Sequence, residues 1–117
     1  MKMVIAFVQP FMAEKVVQAL HAVTGLSGAT FTDVRGFGRG RTKDETELTE
    51  AEVEEQLLGT LPKVRVEAMI PDELEDLVVR TIEAAAHTGN RGDGKVYVSS
   101  IERAVRISTR EEGEQAV

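Results

Sequence analysis

The 117-residue chain has no cysteine and no tryptophan, and aromatic residues make up only 4% of it. Without thiols there can be no disulfide framework, no thiol nucleophile and no cysteine-based metal site. With so few rings, the core must be built from Val, Leu, Ile, Ala and Met. The two histidines, His21 and His87, stand far apart, and neither has a partner at metal-ligand spacing, so no metal site is expected. Basic charge is in the minority, 14 Lys and Arg against 20 Asp and Glu, for a net −6. That balance argues against a sequence-independent nucleic-acid binder, which needs a phosphate-neutralising surface. No apolar run approaches the ~20 residues of a membrane span, so insertion into a bilayer is not expected. The opening MKMVIAFVQP is cut by Gln9 and Pro10, with no small-residue cleavage site close behind, and reads as a strand and not as a secretory signal. A soluble, cytoplasmic protein is the expectation, organised as one domain over 1–117.

The hydrophobic pattern alternates between two periods. Met3 to Val8 is a continuous apolar run, too short for a helix, and predicts a strand buried on both faces. From Phe11 to Val23, Met12, Val16, Leu20 and Val23 recur at helical spacing. Ala29 to Gly36, with Thr30, Phe31, Thr32 and Val34, predicts strand two. A polar, acidic stretch follows and predicts an exposed loop at about 40–58. Thr49 with Glu52 gives it a capping-box pattern, so part of it is expected to be helical, with Val53, Leu57 and Leu58 on one side. Leu61 to Ile70 alternates strictly and predicts strand three. Asp72 is placed as the N-cap of a second helix with Glu75 completing its signature, Leu74, Leu77, Val78 and Ile82 as its buried stripe, and Gly89 as its left-handed cap. Val96 to Ile101 predicts strand four and Val105 to Ser108 a short fifth, before a polar tail at about 109–117 that is expected to be loose.

The order β-α-β-β-α-β predicts an α+β fold, a ferredoxin-like sandwich with an antiparallel sheet, two helices on one face and a long loop between strands 2 and 3. Two helices cover only one side of a sheet whose first strand is apolar on both. Self-association is the simplest cover for the other side; the alternative is a moderately apolar face that stays wet.

Chemistry concentrates in glycine- and cation-rich segments. Thr88-Gly89-Asn90-Arg91-Gly92-Asp93-Gly94-Lys95 combines glycines, which let backbone N–H groups approach an anion, with two cations. It spells G-x-x-x-x-G-K, yet Val96 stands where a P-loop needs Ser or Thr, and the loop leaves a helix to enter a strand. Phosphate binding and an ordinary Gly-Asp-Gly turn are both open on this loop alone. Gly36-Phe37-Gly38-Arg39-Gly40-Arg41 repeats the pairing of glycine with arginine; Lys63 and Arg65, then Arg103 and Arg106, supply further cations near strand ends. Together they suggest a polyanion site, although a solvated rim still accounts for Arg103 and Lys43.

Gln9-Pro10-Phe11, Asp33-Val34-Arg35-Gly36-Phe37-Gly38-Arg39, Leu61-Pro62-Lys63-Val64-Arg65-Val66-Glu67, Thr88-Gly89 with Gly92-Asp93-Gly94-Lys95, and Val105-Arg106-Ile107, in this order over nearly the whole chain, resemble the PII nitrogen-regulatory proteins. The resemblance implies a homotrimer that binds ATP, ADP or AMP in clefts between subunits and controls a target enzyme or membrane transporter through its long T-loop. It implies no tightly bound cofactor, with Mg²⁺ as an optional companion of the nucleotide. By the same resemblance Gly36, Phe37, Gly38 and Arg39 lead into the T-loop, and Gly92, Asp93, Gly94 and Lys95 form the phosphate-binding loop. Lys63 lies near the terminal phosphate, Glu67 beside the nucleotide, Thr30 and Thr88 around the base, and Arg106 reaches from the neighbouring subunit.

The chain departs from the pattern at three places. Gly40 replaces the glutamine that helps hold Mg²⁺ with 2-oxoglutarate, which removes the side-chain oxygen for that effector. Ser108 replaces an arginine that contacts phosphate, and Arg110 replaces a glycine. The single tyrosine, Tyr97, lies on a strand, so the T-loop carries no tyrosine to modify. These departures favour a divergent subgroup, with a sensor of carbon or bicarbonate status as one alternative. A slow nucleotide hydrolase using Asp93 or Glu67 as base is another. Dedicated catalysis is not expected, since there is no Cys nucleophile and no Ser–His pair at a recognisable spacing.

Overall fold

A computed structural model describes residues 1–38, 49–57 and 61–117. Its elements are β1 (Lys2–Val8), α1 (Ala13–His21), β2 (Thr30–Gly36), α2 (Glu50–Leu57), β3 (Leu61–Ile70), α3 (Glu75–Ala86) and β4 (Gly94–Ser100). The four strands form one sheet in the order β2-β3-β1-β4, antiparallel at each pairing. This is the α+β, ferredoxin-like arrangement that the alternating periods predict. No helix among the described residues is long and apolar enough to cross a membrane.

One face of the sheet makes the core. Val4, Ala6 and Val8 of β1 and Val64, Val66, Ala68 and Ile70 of β3 are buried against Val16 and Leu20 of α1 and Val78, Ile82 and Ala86 of α3. The strand residues are two apart and the helix residues four apart, as a shared core requires. The opposite face carries Met3, Ile5 and Phe7 of β1, all only half-buried. Beside them stand Tyr97, 53% exposed, and Met69, 36% exposed. The edge of the Tyr97 ring meets Phe7 with centroids 6.5 Å apart, and the Arg65 guanidinium lies 5.8 Å from the centre of the Phe7 ring. The helices leave this half-apolar face uncovered.

Several local expectations are corrected. A 3₁₀ turn over Pro10–Met12 precedes α1, where proline's missing N–H costs nothing. Asp72 does not cap α3: it opens a 3₁₀ turn, Asp72–Leu74, without a side-chain cap. Its carboxylate takes the Met1 ammonium at 2.7 Å instead, a full charge that outcompetes a backbone N–H. Leu77 is 50% exposed and lies off the buried stripe, which runs through Val78, Ile82 and Ala86. Gly89 has a left-handed φ of 89°, yet α3 already ends at His87 in extended backbone, so Gly89 belongs to the following loop.

No fifth strand forms over Val105 to Ser108, where a single bridge joins Val105 to Glu112. Nor is the tail loose. Arg103 pairs with Glu112 at 2.8 Å, the Gly113 N–H donates to the Ala104 carbonyl, and a 3₁₀ turn covers Glu114–Ala116. In α2, by contrast, the Glu52 N–H donates to Thr49 Oγ1 at 3.2 Å, as the capping pattern predicts.

Ile82 is wholly buried between the helices and the sheet. Ile82→Ala is expected to cost about 2–5 kcal/mol, and Leu77→Ala far less, as read from the midpoints of urea unfolding; equal costs would contradict this placement of the core.

Candidate functional site

The site grows from the C-terminal end of β1. There Gln9 Nε2 donates to the Gly92 carbonyl at 2.7 Å, tying the loop before β4 to the end of β1. Gly92 has φ +93°, and a Cβ placed on it would meet that same Gln9 amide at 3.0 Å. Gly94 is more constrained. Its φ is +112°, and a Cβ there would lie 1.8 Å from the Phe7 carbonyl oxygen. β4 thus presses onto β1 where only glycine fits.

Inside the loop, Asp93 acts as a staple. It accepts the Thr88 N–H at 2.7 Å and the Gly89 N–H at 3.0 Å, together with the Thr88 hydroxyl. The Thr88 hydroxyl first, then these backbone donors, holds the Asp93 carboxyl below its ordinary value. His87 Nδ1 stands 3.8 Å away. The structure therefore turns Asp93 and Thr88 toward each other within the loop.

Beside this loop lies a cavity of about 440 Å³. Gly36, Phe37 and Gly38 line it from the exit of β2, Lys63 from β3, and Gly92, Gly94 and Lys95 from the glycine loop and β4. Seven expected site residues, distant in sequence, thus meet in one place. Phe37 is 59% exposed at its rim. Arg39 and most of the 40–58 loop, Leu58 included, lie outside the described residues. A second hollow of about 380 Å³ adjoins it, shared by Lys63, Arg91 and Gly92 with Gln9 and Pro10.

The remaining expected residues sit elsewhere. Thr30 and Glu67 are direct partners across β2 and β3. They line a hollow of about 690 Å³ with Met3, Met69, Arg103 and Val105. Glu67 also pairs with Arg65. Lys63 and Glu67 share one face of β3, four residues or about 13 Å apart. Arg106 is exposed in the C-terminal segment and donates through Nη2 to the Gln115 carbonyl at 3.0 Å. Among the described residues, no group of three or more His, Asp or Glu side chains is placed to hold a metal ion.

Phe7, Val34, Arg35 and Tyr97 line the cavity too, and sequence reasoning passed over them. For two of them the signal was alternation. Tyr97 has the parity of Lys95, and Val34 pairs directly with Lys63. Gln9 stood within a quoted motif, but its hold on Gly92, 83 residues away, has no local signature.

Two outcomes follow from the loop's geometry. Gly94→Ala is expected to destabilise by about 1–3 kcal/mol or more. Gly38→Ala, with nothing within 4 Å of the new methyl, should stay within about 0.5 kcal/mol. Equal thermal stability of the two variants would contradict this close approach. Because the folded Asp93 carboxyl titrates low, its stapling is fully present above the unfolded value and fails as pH falls through the folded one. The Thr88 and Gly89 amide resonances should therefore hold unchanged through the ordinary aspartate pKa of about 3.9 and shift only in stronger acid. A shift at or above that value would count against the staple.

Comparison with known proteins gives this geometry a context. The family model described as "Nitrogen regulatory protein P-II" matches residues 1–111. The chain is 44% identical to "Nitrogen regulatory protein P-II" of Haemophilus influenzae and 44% identical to the protein of that name from Rhodobacter capsulatus. It is 42% identical to "Nitrogen regulatory protein P-II 1" of Escherichia coli (strain K12), and each of the three comparisons spans all 117 residues and the whole of both chains. A family model that matches residues 1–111 and relatives 42–44% identical over the full length mean that this chain belongs to the nitrogen regulatory protein P-II family.

Proposed function

We propose that the protein is a regulator that binds an adenine nucleotide along the uncovered face of its sheet and signals to a partner through its long loop. One observation carries this reading. The glycine and lysine residues that suit phosphates gather at one end of β3, around Lys63, while Thr30 and Glu67, which suit a base and ribose, sit at the other end of the same face. A nucleotide laid along β3 would reach from one group to the other. A single chain offers only this one wall.

A second copy packed on the open face would close the wall into a cleft. It would also cover Met3, Ile5, Phe7 and Tyr97, whose half-burial is otherwise unexplained. The homotrimer is the assembly that the family resemblance implies, with Arg106 contributed from the neighbouring copy. The work of such a protein is ligand-dependent contact and not catalysis, and the cytoplasm is where adenine nucleotides would meet it.

Charge points to the class of partner. Segment 44–57 holds seven of the 20 acidic residues and no basic one, so the rest of the chain is nearly balanced, 13 acidic against 14 basic. A partner with a basic surface, such as a target enzyme or the soluble face of a transporter, fits this loop, and the attraction would weaken with salt.

Calorimetric titration with ATP, ADP and AMP, each with and without Mg²⁺, 2-oxoglutarate or bicarbonate, tests the reading. One nucleotide per chain is expected, with Lys95→Ala weakening ATP roughly tenfold through loss of a charge-assisted contact. No binding of any of the three would overturn it.

A further inference from the structure

The chain has no cysteine, so its sulfur chemistry rests with its four methionines. Met12 is sealed in the core at 7% exposure. Met3 and Met69 are placed otherwise. They are direct partners across β1 and β3, which puts their Cβ atoms about 4.5–5.5 Å apart. Both lie on the face that the helices leave uncovered, Met3 half-buried and Met69 36% exposed. The exposure of Met69 follows from the pairing. β2 begins with Thr30 opposite Glu67, so β3 runs on past it and Met69 has no β2 partner beside it. Both methionines line one hollow of about 690 Å³, together with Thr30, Glu67 and Val105.

Two thioethers side by side at an open surface are a target for a two-electron oxidant such as hydrogen peroxide. A sulfur lone pair attacks one peroxide oxygen. The S–O bond forms, the O–O bond breaks, and the departing hydroxide takes the proton of the transferred oxygen and leaves as water. The thioether is oxidised to a sulfoxide and the peroxide is reduced. A flexible apolar side chain thereby becomes a polar one. The core is untouched, because β1 buries Val4, Ala6 and Val8 and not Met3. The uncovered face does change. A sulfoxide oxygen accepts hydrogen bonds from water, and covering it without a donor carries a desolvation cost.

We propose that the Met3–Met69 pair is a reversible oxidation site that controls self-association: peroxide turns this part of the apolar strip polar, so a second copy no longer covers it, and reduction of the sulfoxides restores the contact. The inference rests on the second-copy reading above and adds a chemical control to it. The same contact shields the sulfurs, so the reaction runs through the separated chain.

Treatment with hydrogen peroxide, read by peptide mass spectrometry and by analytical ultracentrifugation over a range of protein concentrations, tests this. Met3 and Met69 should each gain one oxygen well before Met12 does, and more slowly as the protein is concentrated. The concentration at which oxidised chains assemble should rise roughly tenfold or more, the worth of one polar group buried without a partner. Helix content by circular dichroism should hold, and methionine sulfoxide reductases should restore assembly. The double variant Met3→Leu with Met69→Leu conserves volume and takes no oxygen, so its assembly, at whatever concentration it occurs, should not respond to peroxide. Oxidised protein that assembles like the untreated protein would overturn the proposal. So would a leucine pair that still loses assembly on treatment, or Met3 and Met69 reacting no faster than Met12. If the untreated protein stays a single chain at every concentration, the second-copy reading itself fails, and this inference falls with it.

Discussion

Everything in this structure depends on β1 being hydrophobic on both of its faces. It pairs with β3 on one side and β4 on the other. Val4, Ala6 and Val8 point toward α1 and α3 and are sealed from water; Met3, Ile5 and Phe7 point away and are not. The first set secures the fold through apolar burial. The second set leaves the molecule with a surface that costs free energy until something covers it. One heptapeptide thus supplies both part of the core and an apolar strip on the uncovered face.

The same strand fixes the functional loops. The carbonyl of Phe7 decides that residue 94 must be glycine, and Gln9, just past the strand's end, holds the carbonyl of Gly92. Register does the rest. Phe7 faces Arg65 on β3 and Lys95 on β4, so the cations line up beside an apolar strip. Asp93 is spent on the Thr88 and Gly89 amides, and the charged residues that line the cavity are Arg35, Lys63 and Lys95. A neutral-to-basic wall results in a protein whose net charge is negative, because the excess acid resides in segment 44–57.

Much of this was legible from the chain alone, wherever a pattern repeats. The alternation of β3 gives its bounds, Leu61 to Ile70, and the i, i+4 spacing of Val16 with Leu20 and of Val78 with Ile82 gives both core helices. The glycine segments declared themselves through composition. What escaped depends on contacts between distant residues. Asp72 looks like a cap until the Met1 ammonium arrives from the far end of the chain. The tail reads as loose because its hold, Arg103 on Glu112 and Gly113 on Ala104, comes from polar groups with no periodicity. Leu77 reads as core because one position on a helix differs from its neighbour's burial by only 100° of rotation.

On the proposed reading, the candidate residues divide between a phosphate-suited end and a base-suited end of one uncovered face, and a second copy would be part of the ligand site and not a mere neighbour. Association and nucleotide binding are then linked, since each buries groups the other leaves exposed. Native mass spectrometry of the protein with and without ATP tests that most directly. Three chains carrying up to one nucleotide each are expected, with no nucleotide on any dissociated single chain. Full nucleotide occupancy on a stable monomer would contradict it.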